Sequence, residues 1–517
     1  MKKRIYWEII VCFCCLLSCT QEKGKGDKYR PQIHFSALEN WTGEPAGLLY
    51  ENGEYHLFYQ YNPEQPVLGN IHWGHAISRD LLHWEQLPVA ISPDISGQIY
   101  PGSVISDSNN TSGLSSSPDP VWIAFYTYHN PDKGMKPGHS IALAYSTDKG
   151  LSWKKHTAPV IESDDDTVFR NPHVSWDQQS NRWLMTVSVG SEIRLYSSLD
   201  CLQWSLLSEF RTEQYTEGGW ESSDLFPLPI AGSDSCKWVL LVSMSGGPAG
   251  GAPAVRYFIG DFDGKTFTST QTQELWTDYG KDNYAGMTCY DSSSGRRILI
   301  SWMNSWDYAN LTPAGTRRGS MTFPRVLSLV PEGRYYLLAS SPVQELASLY
   351  GMTDSVENIK VTNGIIEPAN RTLPDSPFVI RLSFDNSSRH AIWTARNYGI
   401  RIKTKSGKSL AIGYKADMNY FYVDRGGLTA QPFSDSFEQQ TGATYTFPDP
   451  VSDWFILADH GSVELFACGN RIAMTSLCYP DEAFDSFELY AESGTIQVLN
   501  VSVIELNKLT NNKLNNK

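Results

Sequence analysis

Basic side chains are scarce in this sequence: 42 Lys and Arg stand against 56 Asp and Glu, giving a net charge of −14 and a pI near 5.3. That shortage argues against nucleic acid as a partner and against an anionic membrane surface as the main one, since both need a basic face. Long apolar runs are missing too, and the run at 9–17 is too short to span a bilayer. Four of the nine cysteines (Cys12, Cys14, Cys15, Cys19) fall at the very start, leaving Cys201, Cys236, Cys289, Cys468 and Cys478. Such an odd, scattered set is neither a disulfide framework nor a metal site, so no disulfide is expected. No sustained 3.6-residue periodicity, no Gly-x-Ser-x-Gly element and no Lys-Ser/Thr after the glycine-rich stretch Ser245-Gly246-Gly247 is present. These absences remove helical folds, the usual serine hydrolase and a phosphate loop. His72 and His75 lack a third ligand pattern, so no metal is expected, and no cofactor is implied.

With 517 residues, 41% hydrophobic and 12% aromatic, the chain can bury two globular units. Its start reads as a targeting segment. Lys2, Lys3 and Arg4 precede the apolar run, and Leu16-Leu17-Ser18-Cys19 closes it. This resembles the lipobox of bacterial lipoproteins, which implies cleavage after residue 18 and acylation of Cys19; an ordinary signal peptide cleaved nearby is the other reading. Either way export is expected, with a polar tether at 19–29.

Repetition dominates the chain beyond this tether. Strands in which aromatic or aliphatic residues alternate with polar ones are expected at 55–61, 122–128, 183–189, 238–244 and 298–303, their starts 67, 61, 55 and 60 residues apart. Behind the first three comes a second repeat, Ser78-Arg79-Asp80 to Trp84, Ser146-Thr147-Asp148 to Trp153 and Ser197-Ser198-Leu199-Asp200 to Trp204, with a weaker version at Asp263-Gly264-Lys265. A four-stranded unit of this size cannot bury both faces alone and must stack on copies of itself, so five repeats predict a five-bladed β-propeller. Each repeated strand follows a short apolar strand, at 47–50, 102–106, 173–176, 224–228 and 286–290. If these line the central channel in one direction, the residues just before them gather at one mouth: Glu44, Tyr100-Pro101, Arg170-Asn171, Glu221 and Asp282 to Tyr284.

Two carboxylates across an aromatic-lined pocket suit glycoside hydrolysis, one donating a proton to the leaving oxygen and the other attacking or activating water. Aromatic faces suit sugar rings, while Arg, Asn and Gln suit hydroxyls. Several stretches then carry a specific resemblance: Arg30-Pro31-Gln32-Ile33-His34-Phe35, Trp41 to Gly47, Tyr55-His56-Leu57-Phe58-Tyr59-Gln60-Tyr61-Asn62-Pro63, His72-Trp73-Gly74-His75-Ala76, and Ser301-Trp302-Met303-Asn304 leading to Arg318-Gly319-Ser320-Met321. Together they resemble glycoside hydrolase family 32, the levanases, inulinases and invertases that cleave β-fructofuranosyl bonds with retention. The resemblance implies an all-β chain, a five-bladed β-propeller followed by a C-terminal β-sandwich. Boundaries are expected at 30–335 for the propeller, 336–351 for a linker, 352–506 for the sandwich and 507–517 for a polar tail.

Carried over by position, the resemblance makes Glu44 the nucleophile and Glu221 the general acid/base, with Asn171 stabilising the transition state. Trp41, Gln60, Trp73, Tyr100, Arg170 and Trp302 would hold the sugar. The expected partner is a fructan or related glycan, with membrane contact only through a lipid anchor. Departures fall on the catalytic motifs. The family's Trp-Met-Asn-Asp-Pro-Asn-Gly is here Trp41-Thr42-Gly43-Glu44-Pro45-Ala46-Gly47, Arg-Asp-Pro is Arg170-Asn171-Pro172, Glu-Cys is Glu221-Ser222, and Phe-Ser-Gly-Ser is Tyr100-Pro101-Gly102-Ser103. Glu44 gains roughly 1.5 Å of reach. Asn171 gives up a charge of a kind worth on the order of 3 kcal/mol to a cationic transition state. The expectation is a weakened fructosidase, a hydrolase retuned to another furanoside, or a silent fructan-binding protein.

Overall fold

The computed structural model describes residues 28–95, 97–130, 138–163, 168–212, 218–248, 251–385, 394–429, 433–437, 440–445 and 452–509. Cys19 and the targeting segment, most of the tether, and most of the polar tail lie outside them. Five sheets come first, antiparallel apart from the short parallel pairing of Arg317–Arg318 with the start of the first strand, and each of the five repeated strands is the second of its sheet in chain order: Glu54–Asn62, Val121–Asn130, Arg182–Val189, Cys236–Met244 and Arg296–Trp302. The first strands, Asn40–Glu51, Gln98–Asp107, Phe169–Asp177, Trp220–Pro229 and Tyr284–Asp291, touch one another in cyclic order, the last against the first. This is a closed five-bladed propeller. Closure is what lets each sheet bury both faces against its neighbours.

The second sequence repeat has a local physical cause. Asp80 Oδ1 accepts from the backbone N–H of Leu82 (3.0 Å) and His83 (2.8 Å), and the Trp84 indole reaches back to the Leu81 carbonyl (3.0 Å). The same turn returns with Asp148, Ser152 and Trp153, and with Asp200, Leu202, Gln203 and Trp204. A side-chain oxygen thus satisfies the N–H groups of a tight turn in each of these three blades, and the tryptophan closes it by donating back to a carbonyl of the turn.

All five first strands carry a register irregularity at the same level, between Thr42 and Gly47, Tyr100 and Gly102, Arg170 and His173, Glu221 and Asp224, and Tyr284 and Met287. Such bulges insert extra residues and redirect side chains. Pro45, Pro101 and Pro172 sit in three of them, where no ladder N–H is needed. The inner strands therefore begin before the prolines, earlier than the sequence patterns at 47, 102 and 173 indicated. The mouth residues belong to the strands themselves.

The segment expected as a linker is largely structured. Tyr335–Pro342 is the fourth strand of blade 5, and a 3-10 helix, Gln344–Leu349, leads into the second unit. There, two layers are joined by one long strand, Phe484–Leu506. Its first half pairs with Asn397–Thr404 and its second with Phe378–Phe384, while Tyr350–Ile366 runs beside it. Ile400, Ile402 and Ile412 of one layer share a core with Ile380, Trp454 and Leu465 of the other, as in a β-sandwich. All five cysteines in the described residues are free.

Candidate functional site

The bulges bring the expected carboxylates into one electrostatic site. Glu44, 3% exposed, accepts a hydrogen bond from Trp306 Nε1 at 2.8 Å on Oε1, and Gln60 Nε2 lies 3.5 Å from Oε2. Burial, reinforced by the nearby Glu221 carboxylate, pushes the Glu44 carboxyl well above the ordinary carboxylate range; Trp306 and Arg170 oppose this only in part. Glu221, from blade 4, forms an ion pair with Arg170 of blade 3. Tyr284 of blade 5 closes the ring: burial and then the charges of Glu221 and Glu44 raise its hydroxyl, which also hydrogen-bonds Glu221. Its phenol is therefore a fixed neutral donor.

Asn171 occupies the bulge of blade 3 with φ 58°, and Ser222 that of blade 4 with φ 44°. Asn171 Nδ2 donates to Ser222 Oγ (3.1 Å), and its backbone N–H donates to Thr127 Oγ1 (2.9 Å). Its amide oxygen, the Gln60 amide oxygen and the Trp41 indole N–H are buried without a hydrogen-bond partner. Unpaired buried polar groups cost about 1–3 kcal/mol each, so a ligand rich in hydroxyls has three groups to satisfy here. Gly43 stands where the family motif has Asn: a Cβ on it would lie 2.7 Å from Gln60 Oε1 and 2.8 Å from Trp41 Nε1. Gln60 and Trp41 fill the room that a side chain would need.

Tyr100 stands on blade 2, its ring stacked on His129 at 5.2 Å and 15°. All three tryptophans expected to hold the sugar are buried, Trp41 with its indole N–H unpartnered and the other two with theirs engaged. Trp73 and Trp302 have no exposed surface, and their N–H groups donate to the carbonyls of Tyr100 (3.3 Å) and Thr42 (3.0 Å). They brace the strands bearing Tyr100 and Glu44, which corrects the expected direct contact. Close packing behind Glu44 depends on Gly319, with φ 87°, whose Cβ would fall 2.0 Å from the Thr42 carbonyl oxygen. Trp306 was missed in the sequence. It follows the strand ending at Trp302 by four residues, and its ring lies 4.6 Å from Trp302 and 6.4 Å from Trp41. An aromatic residue in an otherwise polar turn at the channel mouth was the available signal.

Among the described residues, no helix is long and apolar enough to cross a membrane. Comparison with known proteins gives consistent matches. Residues 34–341 match the glycosyl hydrolases family 32 N-terminal domain, and residues 345–505 match the family 32 C-terminal domain. A levanase of Bacillus subtilis is 34% identical over 98% of this chain and 76% of its own length. An extracellular exo-inulinase of Aspergillus awamori is 30% identical over 95% of this chain and 97% of its own. The crystal structure of exo-inulinase from that organism superposes with a TM-score of 0.85, covering 93% of this chain and 98% of that one at 29% identity. A fructofuranosidase from Schwanniomyces occidentalis complexed with fructosylnystose superposes at 0.82, with 28% identity over 94% and 99% of the two chains. On the extent of these matches and the propeller and sandwich that underlie them, the chain belongs to glycosyl hydrolase family 32.

Proposed function

We propose that the protein is an exported, retaining β-fructosidase acting on β-fructans such as levan or inulin, or on sucrose-type bonds. The observation that carries this reading is the placing of Glu44 and Glu221 at equivalent bulges of blades 1 and 4, close enough for the Glu221 charge to bear on Glu44. Levanase and exo-inulinase relatives that align over most of the chain support the substrate class.

In this reading Glu44 attacks the anomeric carbon while Glu221 gives its proton to the departing oxygen. Glu221 then takes a proton from water, which releases fructose and restores Glu44. Arg170 and Tyr284 hold the Glu221 carboxyl in place, and Trp306 orients Glu44. Only ionised Glu44 can attack, so its raised pKa places the acid limb of kcat/KM above the ordinary carboxylate range. Asn171 offers a neutral acceptor where the family motif has a carboxylate. Gln60 and Tyr100 complete the sugar pocket, and the buried Trp41 backs it.

Glu44 and Asn171 also favour a second reading, a protein that binds fructan without turnover, because one is hard to ionise and the other lacks charge. Retuning to another furanoside is the third. Acylation at Cys19 would hold the protein at the bacterial cell envelope, and Cys19→Ala should shift it from the membrane to the soluble fraction.

Incubating the purified protein with levan, inulin and sucrose, and following sugar release together with binding, tests the reading. Release that disappears in Glu221→Gln supports the enzyme, and binding without release supports the second reading. Neither binding nor release with any of the three removes the substrate assignment.

A further inference from the structure

We propose that Tyr100, His129 and His139 on the rim of blade 2 form the subsite for the sugar on the leaving-group side of the scissile bond, so that this site prefers a fructosyl chain to a minimal fructoside. The inference rests on the β-fructosidase reading above and adds the part of the substrate that lies beyond the fructosyl pocket.

Register places these residues. Tyr100 lies opposite Thr127, and Gln98 lies opposite His129, which in turn faces His139 on the third strand. Side chains two apart on a strand share a face. His129 is therefore on the face of Thr127, whose hydroxyl holds the Asn171 backbone. At about 3.3 Å rise per residue, His129 and His139 stand roughly 7 Å farther out than the Tyr100 level, about the span of one sugar ring. The next ring of a chain whose terminal unit fills the pocket would reach that height.

The chemistry fits a sugar. Tyr100 and His129 stack as a half-exposed pair, an apolar face of the kind that rings pack against. His129 Nδ1 and His139 Nε2 are 3.1 Å apart, so one donates to the other. That shared hydrogen bond leaves His129 Nε2 and His139 Nδ1 to meet hydroxyls as donor or acceptor. Burial and then the Arg170 charge hold His129 below its ordinary range, and burial, His129 and Arg170 hold His139 at about 4. Both rings are thus neutral near pH 7, which suits an uncharged ligand. Arg170 also pairs with Glu221, the group that protonates the leaving oxygen, so the histidines flank the side on which that oxygen departs.

Two substrates separate this role from general damage. 1-Kestose has a sugar as leaving group, whereas β-fructofuranosyl fluoride has none. The selectivity ratio, kcat/KM for 1-kestose over kcat/KM for the fluoride, should fall about tenfold in His139→Ala, the equivalent of one or two lost hydrogen bonds. His129→Phe keeps the stack on Tyr100 and should lower the ratio less than His129→Ala. It also serves where the alanine variant fails to fold. A ratio that stays at the wild-type value in His139→Ala and His129→Phe overturns the subsite, even if both rates fall together. Wild-type protein that cleaves neither compound overturns the β-fructosidase reading, and the subsite with it.

Discussion

Among the buried clusters of charge in the described residues, two are built on opposite principles. Between the propeller and the sandwich, His34 is hydrogen-bonded to both Asp459 and Glu464 at 2.8 Å, and Arg325 pairs with Glu464 and with Asp278. Asp278 takes further hydrogen bonds from Thr475, and Arg425 pairs with Asp282. At the channel mouth, by contrast, Glu44 and Glu221 face one another as like charges, and the buried Trp41 Nε1, Gln60 Oε1, Asn171 Oδ1 and Arg170 Nε have no partner. The interface sets each charge against opposite ones, with Arg325 Nε its one guanidinium nitrogen left unpaired, and so fixes two units together; the mouth keeps its charges in conflict, in the way of a site waiting for a ligand.

The same direction of pKa shift has opposite meanings in the two places. Burial alone would lower His34, but Asp459 and Glu464 outweigh it and hold the imidazolium up to about 9. His34 therefore adds stability in full below its unfolded pKa of about 6.5, and this is lost as pH rises through about 9. Glu44 is raised because its charged form is disfavoured. It is harmless while protonated, and it costs stability as pH rises past the ordinary carboxylate pKa of the unfolded chain. Glu464, held at about 2 by Arg325 and His34 against its burial, has the reverse slope: its contribution is present above about 4.5 and lost as pH falls through about 2.

Substitutions can break this contrast at either end. Glu221→Gln should lower kcat/KM roughly 10³-fold by removing the general acid, while its melting temperature stays close to that of the wild type. Equal loss of stability would mean that the mouth is a structural cluster like the interface. Arg325→Met should destabilise by about 3–4 kcal/mol in denaturant unfolding, because it leaves Glu464 and Asp278 as unpaired buried charges. A neutral result there would show that the interface charges are not mutually dependent. Glu44→Gln sharpens the comparison, since it should stabilise on the order of 2 kcal/mol at pH 8 and leave stability at pH 4 nearly unchanged. A gain of the same size at both pH values would contradict the burial of a strained carboxylate. The smallest effect is expected from Trp306→Phe, about tenfold in kcat/KM, with the acid limb of the pH profile moved higher by loss of the hydrogen bond to Glu44.

The two regions were not equally legible in the sequence. Five returns of one strand pattern gave the blade number, and the recurring Asp and Trp of the turns marked three of the blades, because both signals are local. Glu44 and Glu221 could be placed together because they hold the same position in their repeats. The bulges could not be read: Pro45, Pro101 and Pro172 look like strand breaks, yet each sits inside a strand where the ladder is already interrupted. Trp73 and Trp302 looked like sugar platforms because sequence does not report which face of a strand is covered by a neighbouring blade. The interface network escaped altogether. His34, Asp278, Arg325 and Glu464 are far apart in the chain, and no short-range pattern links partners that lie from 47 to 430 residues from one another.

The central claim is that the conflicted carboxylate at the mouth, Glu44, is the nucleophile. Incubating Glu221→Gln with β-fructofuranosyl fluoride tests it most directly, because this leaving group needs no protonation while breakdown of the adduct lacks its general base. Mass spectrometry of the digested protein should then find one hexosyl unit covalently attached to the peptide that contains Glu44, and none in the variant that also carries Glu44→Gln. A fructosyl adduct on any other residue, or turnover of the fluoride by Glu44→Gln at the wild-type rate, would contradict the account.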